Sequence, residues 1–353
     1  MRRLLLRAST EGRFNLSYLT KYAVLPALFY VIGAAQHASA VPCMKRRQAI
    51  SLPAPRSEAE AMRREFFAYD RFLPLHATLR PLDRTGARTR YRLDYDSIHD
   101  QRVPAILAIP NDFPPPYPVT LLVHGSGGNK DSSYIQLCSE ALTAQGFATL
   151  SIDTQYHGDR TRPGRSGDIH MPDSYTMRDA WIQTVVDLRR AVDYIYSRGD
   201  LNSRKIGYLG FSQGAMIGGV LGGVEGRIGS FCLAVPGGGL VDIVKHLDRY
   251  PFLKAHWPVR VTPKVLKKVE AIANITDPIH YVGLIPPRPL LIIVAKYDEV
   301  IPPEASKAII SAAHAFGNNQ VKQWDSGHVL HPAAVFDIRD FFVKCFGKRQ
   351  RTG

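Results

Sequence analysis

A serine between two glycines is the first place in the sequence where specific chemistry is indicated. Ser212 lies in the pentapeptide Gly-Phe-Ser-Gln-Gly, after the apolar run 206–209 and before the small-residue segment 215–219. A strand followed by Gly-x-Ser-x-Gly and a helix predicts a sharp turn that presents the serine hydroxyl at the end of a sheet. A Cβ at Gly210 or Gly214 would crowd this turn. The motif also fits an ordinary glycine-rich turn, so a nucleophilic role requires partners elsewhere in the chain.

An acid and a histidine follow in the order that such a serine requires. A serine hydroxyl is a weak nucleophile at neutral pH, so it needs a base within hydrogen-bond reach and an acid to orient that base. At this kind of turn the chain order is serine, acid, histidine. Asp298 follows the apolar run 290–295, and His328 follows the predicted strand 321–324. We therefore predict Ser212 as nucleophile, His328 as base and Asp298 as the orienting acid, all at one edge of a sheet.

Other acids and histidines at this edge are the alternatives. Glu299 adjoins Asp298 but is expected to point elsewhere, and Asp325 lies before the turn that carries the histidine. His331 is expected inside the start of the closing helix, while His124 and His157, on loops at the same edge, are expected to be structural hydrogen-bonding residues.

Acyl transfer also needs donors aimed at the developing oxyanion. The first predicted donor is the backbone N–H of Gln213, directly after the serine. The second is the N–H of Ser126, in the glycine loop 124–128 that follows the apolar run 119–123. A phosphate loop is the competing interpretation, but Gly-Ser-Gly-Gly-Asn-Lys-Asp lacks the spacing of Gly-x-x-x-x-Gly-Lys-Ser/Thr.

The elements that must position these residues alternate between strand and helix patterns. This alternation predicts an α/β architecture, a mostly parallel twisted sheet with helices on both faces. The alternation lapses at residues 240–287, which form an insertion before the acid-bearing strand. We expect this insertion to form a lid or pocket wall; the alternative is a pair of helices at the side of the sheet. Strands are also predicted at 91–95, 103–109, 147–152 and 231–235, and helices at 57–67, 134–144, 181–196 and 333–346.

The N-terminal region has the three parts of a secretory signal. Five basic residues against one acid precede an apolar run at 22–35, and Ala38-Ser39-Ala40 provides a small-x-small cleavage site. The apolar run is shorter than the ~20 residues that a membrane-spanning helix needs. We expect residues 1–40 to direct export to the periplasm or the medium; an N-terminal anchor with membrane association, or a cytoplasmic protein, is the alternative. We expect residues 41–84 to be a linker and N-terminal extension, 85–346 the catalytic domain and 347–353 a basic tail.

Composition argues against other classes of protein. The net charge is +14, but basic residues are not interleaved with aromatic residues on one element, so no nucleic-acid role is expected. Metal binding is not expected either, because the cysteines lack Cys-x-x-Cys spacing and histidine neighbours; they are Cys43, Cys138, Cys232 and Cys345. We expect no cofactor and a small-molecule partner, while the oligomeric state is left open.

Together these motifs resemble the α/β-hydrolase superfamily. They are His-Gly-x-Gly-Gly, Gly-Phe-Ser-Gln-Gly, Asp298 and Gly-His328, and the run 187–194 leading to 206–212 is similar to the dienelactone hydrolase-like and acetyl xylan esterase-like branch. The resemblance covers roughly residues 85–346. Dienelactone hydrolases proper carry a cysteine in place of Ser212, and the loop 156–160 replaces the Gly-x-Gly-x-Ser form of other branches.

The resemblance implies an α/β-hydrolase fold and a serine hydrolase that cleaves carboxylic esters through an acyl-enzyme. A peptidase or thioesterase of the same fold, or a non-catalytic binding protein on this scaffold, is the alternative.

Overall fold

The structure, a computed structural model, describes residues 54–162, 173–313 and 319–351. The expected export segment 1–40 and Cys43 lie outside the described residues. Within those ranges, none of the helices combines the length and the apolar character that crossing a membrane requires.

A nine-stranded sheet organises the described chain. Its order is β1-β2-β3-β5-β4-β6-β7-β8-β9; the pairs from β1 through β3 to β5 are antiparallel, and the six strands from β5 to β9 are parallel. Parallel strands end at the same edge, so the loops after β4 to β9 meet there. The strands are β1 Thr78–Arg84, β2 Arg88–Asp96, β3 Arg102–Pro110, β4 Tyr117–Val123, β5 Ala148–Ile152, β6 Leu201–Phe211, β7 Ser230–Ala234, β8 Leu290–Ala295 and β9 Asn319–Trp324.

Helices cover both faces of this sheet. The pattern of apolar residues explains this, because successive strand residues point to opposite faces. Leu121 on β4 packs in the core beneath α3 and α4, while its neighbour Leu122 packs in the core beneath α2 and α9. The helices are α1 Glu58–Glu65, α2 Ser133–Thr143, α3 Tyr175–Ser197, α4 Gln213–Val224, α5 Leu240–Lys245, α6 Pro251–His256, α7 Pro263–Thr276, α8 Pro303–Ala313 and α9 Ala334–Phe346.

The predicted fold class is confirmed, and two elements were not predicted. β1 lies in the segment 41–84 that was expected to be a linker and extension, and it pairs with β2 at the edge of the sheet. Every residue of β1 is exposed, so it has none of the buried periodicity by which strands are recognised. The second is α8, which follows the acid-bearing strand β8.

The expected insertion 240–287 is helical. It contains α5, α6, α7 and three short 3₁₀ turns. Part of it packs on the central domain, where Ile243 forms a small apolar cluster with Ile301 and Ala305, and Met216 of α4 packs against that cluster.

One buried carboxylate joins the two ends of the insertion. Asp277 accepts the N–H groups of Gly239 (3.1 Å) and Leu240 (2.7 Å) where the insertion begins, and that of Ile279 (3.2 Å) where it ends. Burial raises the pKa of Asp277 above its ordinary value. The backbone on either side of the segment 240–276 is therefore held together at Asp277.

Candidate active site

Ser212 occupies the turn between β6 and α4 in a conformation that few non-glycine residues adopt. Its φ is 51° and its ψ is −115°, and its N–H donates to the carbonyl of Ala234 on β7 at 2.8 Å. Such strain persists where the surroundings enforce it, often at functional sites. A Cβ at Gly210 would lie 2.3 Å from the carbonyl oxygen of Gly214, and one at Gly214 would lie 2.5 Å from that of Val123. The steric reason predicted for both glycines is confirmed.

The structure brings the three predicted residues into one hydrogen-bonded series. His328 Nε2 lies 3.0 Å from Ser212 Oγ, and His328 Nδ1 lies 2.9 and 3.0 Å from the two carboxylate oxygens of Asp298. The N–H groups of Val300 and Ile301 donate to the same carboxylate at 2.9 and 2.7 Å, which fixes its orientation. An Nδ1–H that donates to Asp298 leaves the Nε2 lone pair facing the serine hydroxyl, which is the tautomer that a base needs.

The alternative acids lie elsewhere. Glu299 Oε2 accepts the backbone N–H of His328 at 2.9 Å, so the contact is with the main chain and not with the ring. Asp325 pairs with Lys296 at 3.3 Å, and its side chain is 72% exposed. His331 stacks on Trp324, with the two ring planes 7° apart, and precedes α9.

His124 is a buried structural residue. Its Nδ1 lies 2.7 Å from the carbonyl oxygen of Gly125 and so donates to it, while its Nε2 accepts the N–H of Thr154 at 3.2 Å. Burial, together with the nearby His157, lowers the pKa of His124 to about 4. The ring is therefore neutral near pH 7. His157 Nδ1 lies 2.9 Å from the hydroxyl of Thr154, so both histidines hold the loop after β5.

The first predicted oxyanion donor begins α4. Gln213 is buried and is the first residue of that helix. The N–H groups of a helix's first turn have no acceptor within the helix. The position suits a donor to an anion beside Ser212.

The second predicted donor lies in the loop after β4, which packs against the serine turn. A Cβ at Gly125 would lie 3.2 Å from Ser212 Cβ. The N–H of Gly125 donates to Tyr134 Oη at 3.0 Å, and the N–H of Gly128 donates to the Gly125 carbonyl at 3.1 Å. Ser126 is exposed between these two anchored amides.

A buried ion pair, which sequence reasoning missed, fixes the far end of this loop. Lys130 Nζ lies 2.7 Å from Asp153 Oδ2 and 2.9 Å from Asp159 Oδ2. Asp153 also accepts the N–H groups of Lys130 (2.8 Å) and Asp159 (2.9 Å). The only sign of this ion pair in the sequence is that Asp153 directly follows a predicted strand. It binds the loop after β4 to the loop after β5.

The cysteines of the described chain are free thiols. Cys138 and Cys232 are buried in the core, and burial raises the pKa of Cys138 to about 12. Across the described ranges, no group of three or more His, Cys, Asp or Glu side chains is placed to hold a metal ion.

Comparisons with known proteins agree with this architecture. A family model described as alpha/beta hydrolase fold matches residues 118–235. YtaP of Bacillus subtilis (strain 168), which is named as a hydrolase, is 26% identical over 220 residues, covering 58% of this chain and 68% of that protein.

Two solved structures are similar over most of the chain. The acetyl xylan esterase from Paenibacillus sp. R4 has a TM-score of 0.65 at 19% identity, covering 83% of this chain and 96% of that one. Acetyl xylan esterase 1 from Thermoanaerobacterium sp. JW/SL YS485 has a TM-score of 0.64 at 16% identity, covering 84% and 96%. This chain therefore has an α/β-hydrolase fold, and acetyl xylan esterases are among the solved structures that it resembles.

Proposed function

We propose that the protein is a serine hydrolase that cleaves carboxylic esters. The observation that carries this proposal is the hydrogen-bonded series from Asp298 through His328 to Ser212 at the turn between β6 and α4. This is the arrangement of a triad, in which an acid orients a base that activates a nucleophile. The names of the structural neighbours, acetyl xylan esterases, support an ester as substrate.

In the acylation step, Ser212 Oγ attacks the ester carbonyl while His328 Nε2 accepts its proton. Asp298 holds the ring through Nδ1 and stabilises the imidazolium that forms. When the tetrahedral intermediate collapses, His328 gives that proton to the leaving alcohol, and the acyl group remains on Ser212. Water then repeats the sequence on the acyl-enzyme, which releases the acid and restores the serine.

The charge of the tetrahedral intermediate falls on the former carbonyl oxygen. The backbone N–H groups of Gln213 and Ser126 donate to it in our proposal. Gln213 also contributes through the positive end of the α4 dipole. Fixed donors of this kind are worth about 10²–10³ in kcat each.

The insertion forms one wall of the substrate pocket in this proposal. Met216, whose N–H donates to the Ser212 carbonyl at 3.0 Å, packs against the cluster that contains Ile243 of the insertion. Ile301 in the same cluster donates its N–H to Asp298. The insertion is thus joined to both the nucleophile helix and the acid loop.

Two measurements on the full chain test the proposal. A fluorophosphonate probe should label the wild-type protein and not Ser212→Ala, and wild type should hydrolyse members of a p-nitrophenyl ester series from acetate to palmitate. Labelling with turnover of amides or thioesters alone would indicate a peptidase or a thioesterase. Absence of both labelling and turnover would indicate a binding protein on this scaffold.

A further inference from the structure

We propose that Glu299 is a positioning residue for His328, an inference that rests on the proposed ester hydrolysis. Glu299 Oε2 accepts the backbone N–H of His328 at 2.9 Å, while Asp298 binds Nδ1 of the same residue. Two consecutive carboxylates therefore hold one histidine, Asp298 by its ring and Glu299 by its main chain.

Glu299 continues the pairing between β8 and β9 beyond the ends of these strands. Past the strands, the N–H of Lys296 donates to the Trp324 carbonyl at 2.9 Å, and that of Tyr297 donates to the Ser326 carbonyl at 3.0 Å. Two residues further along, at His328, the acceptor is the Glu299 carboxylate. The Glu299 side chain thus extends the hydrogen bonding between the two chain segments to His328, whose position matters for proton transfer.

Gly327 leaves room for this contact. A Cβ at Gly327 would lie 2.8 Å from Glu299 Oε2, closer than real Cβ contacts. The φ of Gly327 lies outside the left-handed region, so its backbone conformation does not itself require glycine. A Cβ at Gly327 would therefore move the Glu299 carboxylate, the end of a flexible side chain, away from its place beside the His328 N–H.

The hydrogen bond to Glu299 restrains a loop whose position affects the rate. Val329, directly after His328, is 85% exposed, and the packing of this loop begins again at Leu330, against the core, and His331, on Trp324. The His328 ring must nevertheless stay about 3 Å from both Ser212 and Asp298, and small displacements of reacting groups are costly in rate. A hydrogen bond to an ionised acceptor is short and stronger than a neutral one.

Three single variants separate positioning from a general effect of charge. Glu299→Ala should lower kcat about tenfold with KM unchanged, a change equal to about 1.4 kcal/mol, because the contact acts on the chemical step. Glu299→Gln keeps an oxygen acceptor and should stay within about threefold of wild type. Asp325→Asn is the matched control. It removes a carboxylate from the loop that carries His328, and this carboxylate pairs with Lys296. The kcat of this variant should stay within about twofold of wild type.

A double-mutant cycle tests the contact itself. Gly327→Ala displaces the Glu299 carboxylate without removing it, so it should lower kcat about as much as Glu299→Ala, roughly tenfold. In the Glu299→Ala background, where the space is open, the same change should have little further effect. Additive losses would overturn the proposal, as would a Glu299→Ala kcat equal to that of Asp325→Asn. If Glu299→Ala does not fold, Glu299→Gln and Gly327→Ala still decide the question.

These outcomes are distinct from failure of the proposed function. A wild-type protein that neither reacts with fluorophosphonate nor hydrolyses esters would overturn ester hydrolysis and the role of Glu299 together. An active wild type, an inactive Ser212→Ala and an unaffected Glu299→Ala would overturn the role of Glu299 alone.

Discussion

His328 Nε2 lies 3.0 Å from Ser212 Oγ, although the two residues are 116 positions apart in the chain. The strands that precede the two residues are not neighbours in the sheet. β6 ends before Ser212 and β9 ends before His328, and β7 and β8 lie between these two strands. Asp298 follows β8, between them. The three loops converge because all of these strands are parallel and end at one edge.

Removing the nucleophile should abolish hydrolysis and leave the fold intact. Ser212→Ala should lower kcat by on the order of 10⁶, as loss of a triad serine does elsewhere. Steady-state kinetics measures the loss, and thermal unfolding serves as the control for folding. A variant within tenfold of wild-type activity would contradict the assignment of Ser212.

The acid and the base have matched controls nearby. Asp298→Asn should lower kcat by about 10⁴, because it favours the wrong tautomer of the histidine. His328→Ala should be similarly severe. Asp325→Asn and His331→Ala should be mild, because these side chains contact Lys296 and Trp324. The assignment fails if either control proves worse than its partner.

Tyr134 should matter for rate through the loop that it holds. Tyr134→Phe removes the acceptor of the Gly125 N–H, and an unsatisfied buried donor costs about 1–3 kcal/mol. We expect lower stability and a kcat reduced about tenfold with little change in KM, because the neighbouring Ser126 N–H is a proposed oxyanion donor. Tyr175→Phe, which removes a hydroxyl from an exposed tyrosine of α3, is the control. Equal effects of the two changes would refute the link.

The pair of Lys130 and Asp153 should contribute strongly to stability. Lys130→Met leaves the Asp153 carboxylate buried without its partner, which typically costs about 3–5 kcal/mol in the free energy of unfolding. The double variant Lys130→Met/Asp153→Asn should recover part of this loss, because no unpaired charge remains. Urea unfolding measures both. A double variant less stable than Lys130→Met would count against this account.

Stability should fall in mild acid because of His124. The folded protein holds the pKa of His124 at about 4 through burial and the nearby His157, with Lys130 acting in the same direction and Asp153 opposing them. The unfolded chain has a histidine pKa of about 6.5. Unfolding therefore takes up a proton between these values, so the contribution is fully present above pH 6.5 and is lost as the pH falls to 4.

The full loss amounts to about 3 kcal/mol. In His124→Asn, whose side-chain amide can still donate to the Gly125 carbonyl, urea unfolding at pH 7 and pH 4.5 should differ by less than in wild type. Equal differences in the two proteins would show that the pH dependence arises elsewhere.

Export remains our proposal from the sequence of residues 1–40. If a signal peptidase cleaves after Ala40, mass spectrometry of the expressed protein should find a chain that begins at Val41. An intact Met1, or protein that stays in the membrane pellet after carbonate washing, would favour an anchor.

Sequence patterns predicted the core of the fold because its strands are apolar on both faces. β4 and β8 were located at or near their observed bounds for this reason. β1 was missed because an edge strand with every residue exposed leaves no apolar pattern.

At the site, the order of motifs was sufficient to predict the three residues that the structure joins by hydrogen bonds, Ser212, Asp298 and His328. The contact of Glu299 was not predictable from the sequence, because it is made with a backbone N–H 29 residues away and depends on how two loops meet. In the sequence, Lys130 stands out only as the lysine of the glycine-rich loop after β4. Its partner Asp153 belongs to a different strand end, and only the folded sheet brings them together.

Asp277 holds both ends of the segment 240–276 together, which suits this segment to exchange as a unit. Both ends of this segment are held by one carboxylate, so a replacement that keeps Asp277 and the apolar contacts of Ile243 with Ile301 should leave β7 and β8, which carry the turn contact and the acid, in place. A lineage could thus acquire new substrates by replacing this segment while inheriting the same reaction chemistry. Chimeras in which residues 240–276 come from a related protein should show the substrate preference of that protein.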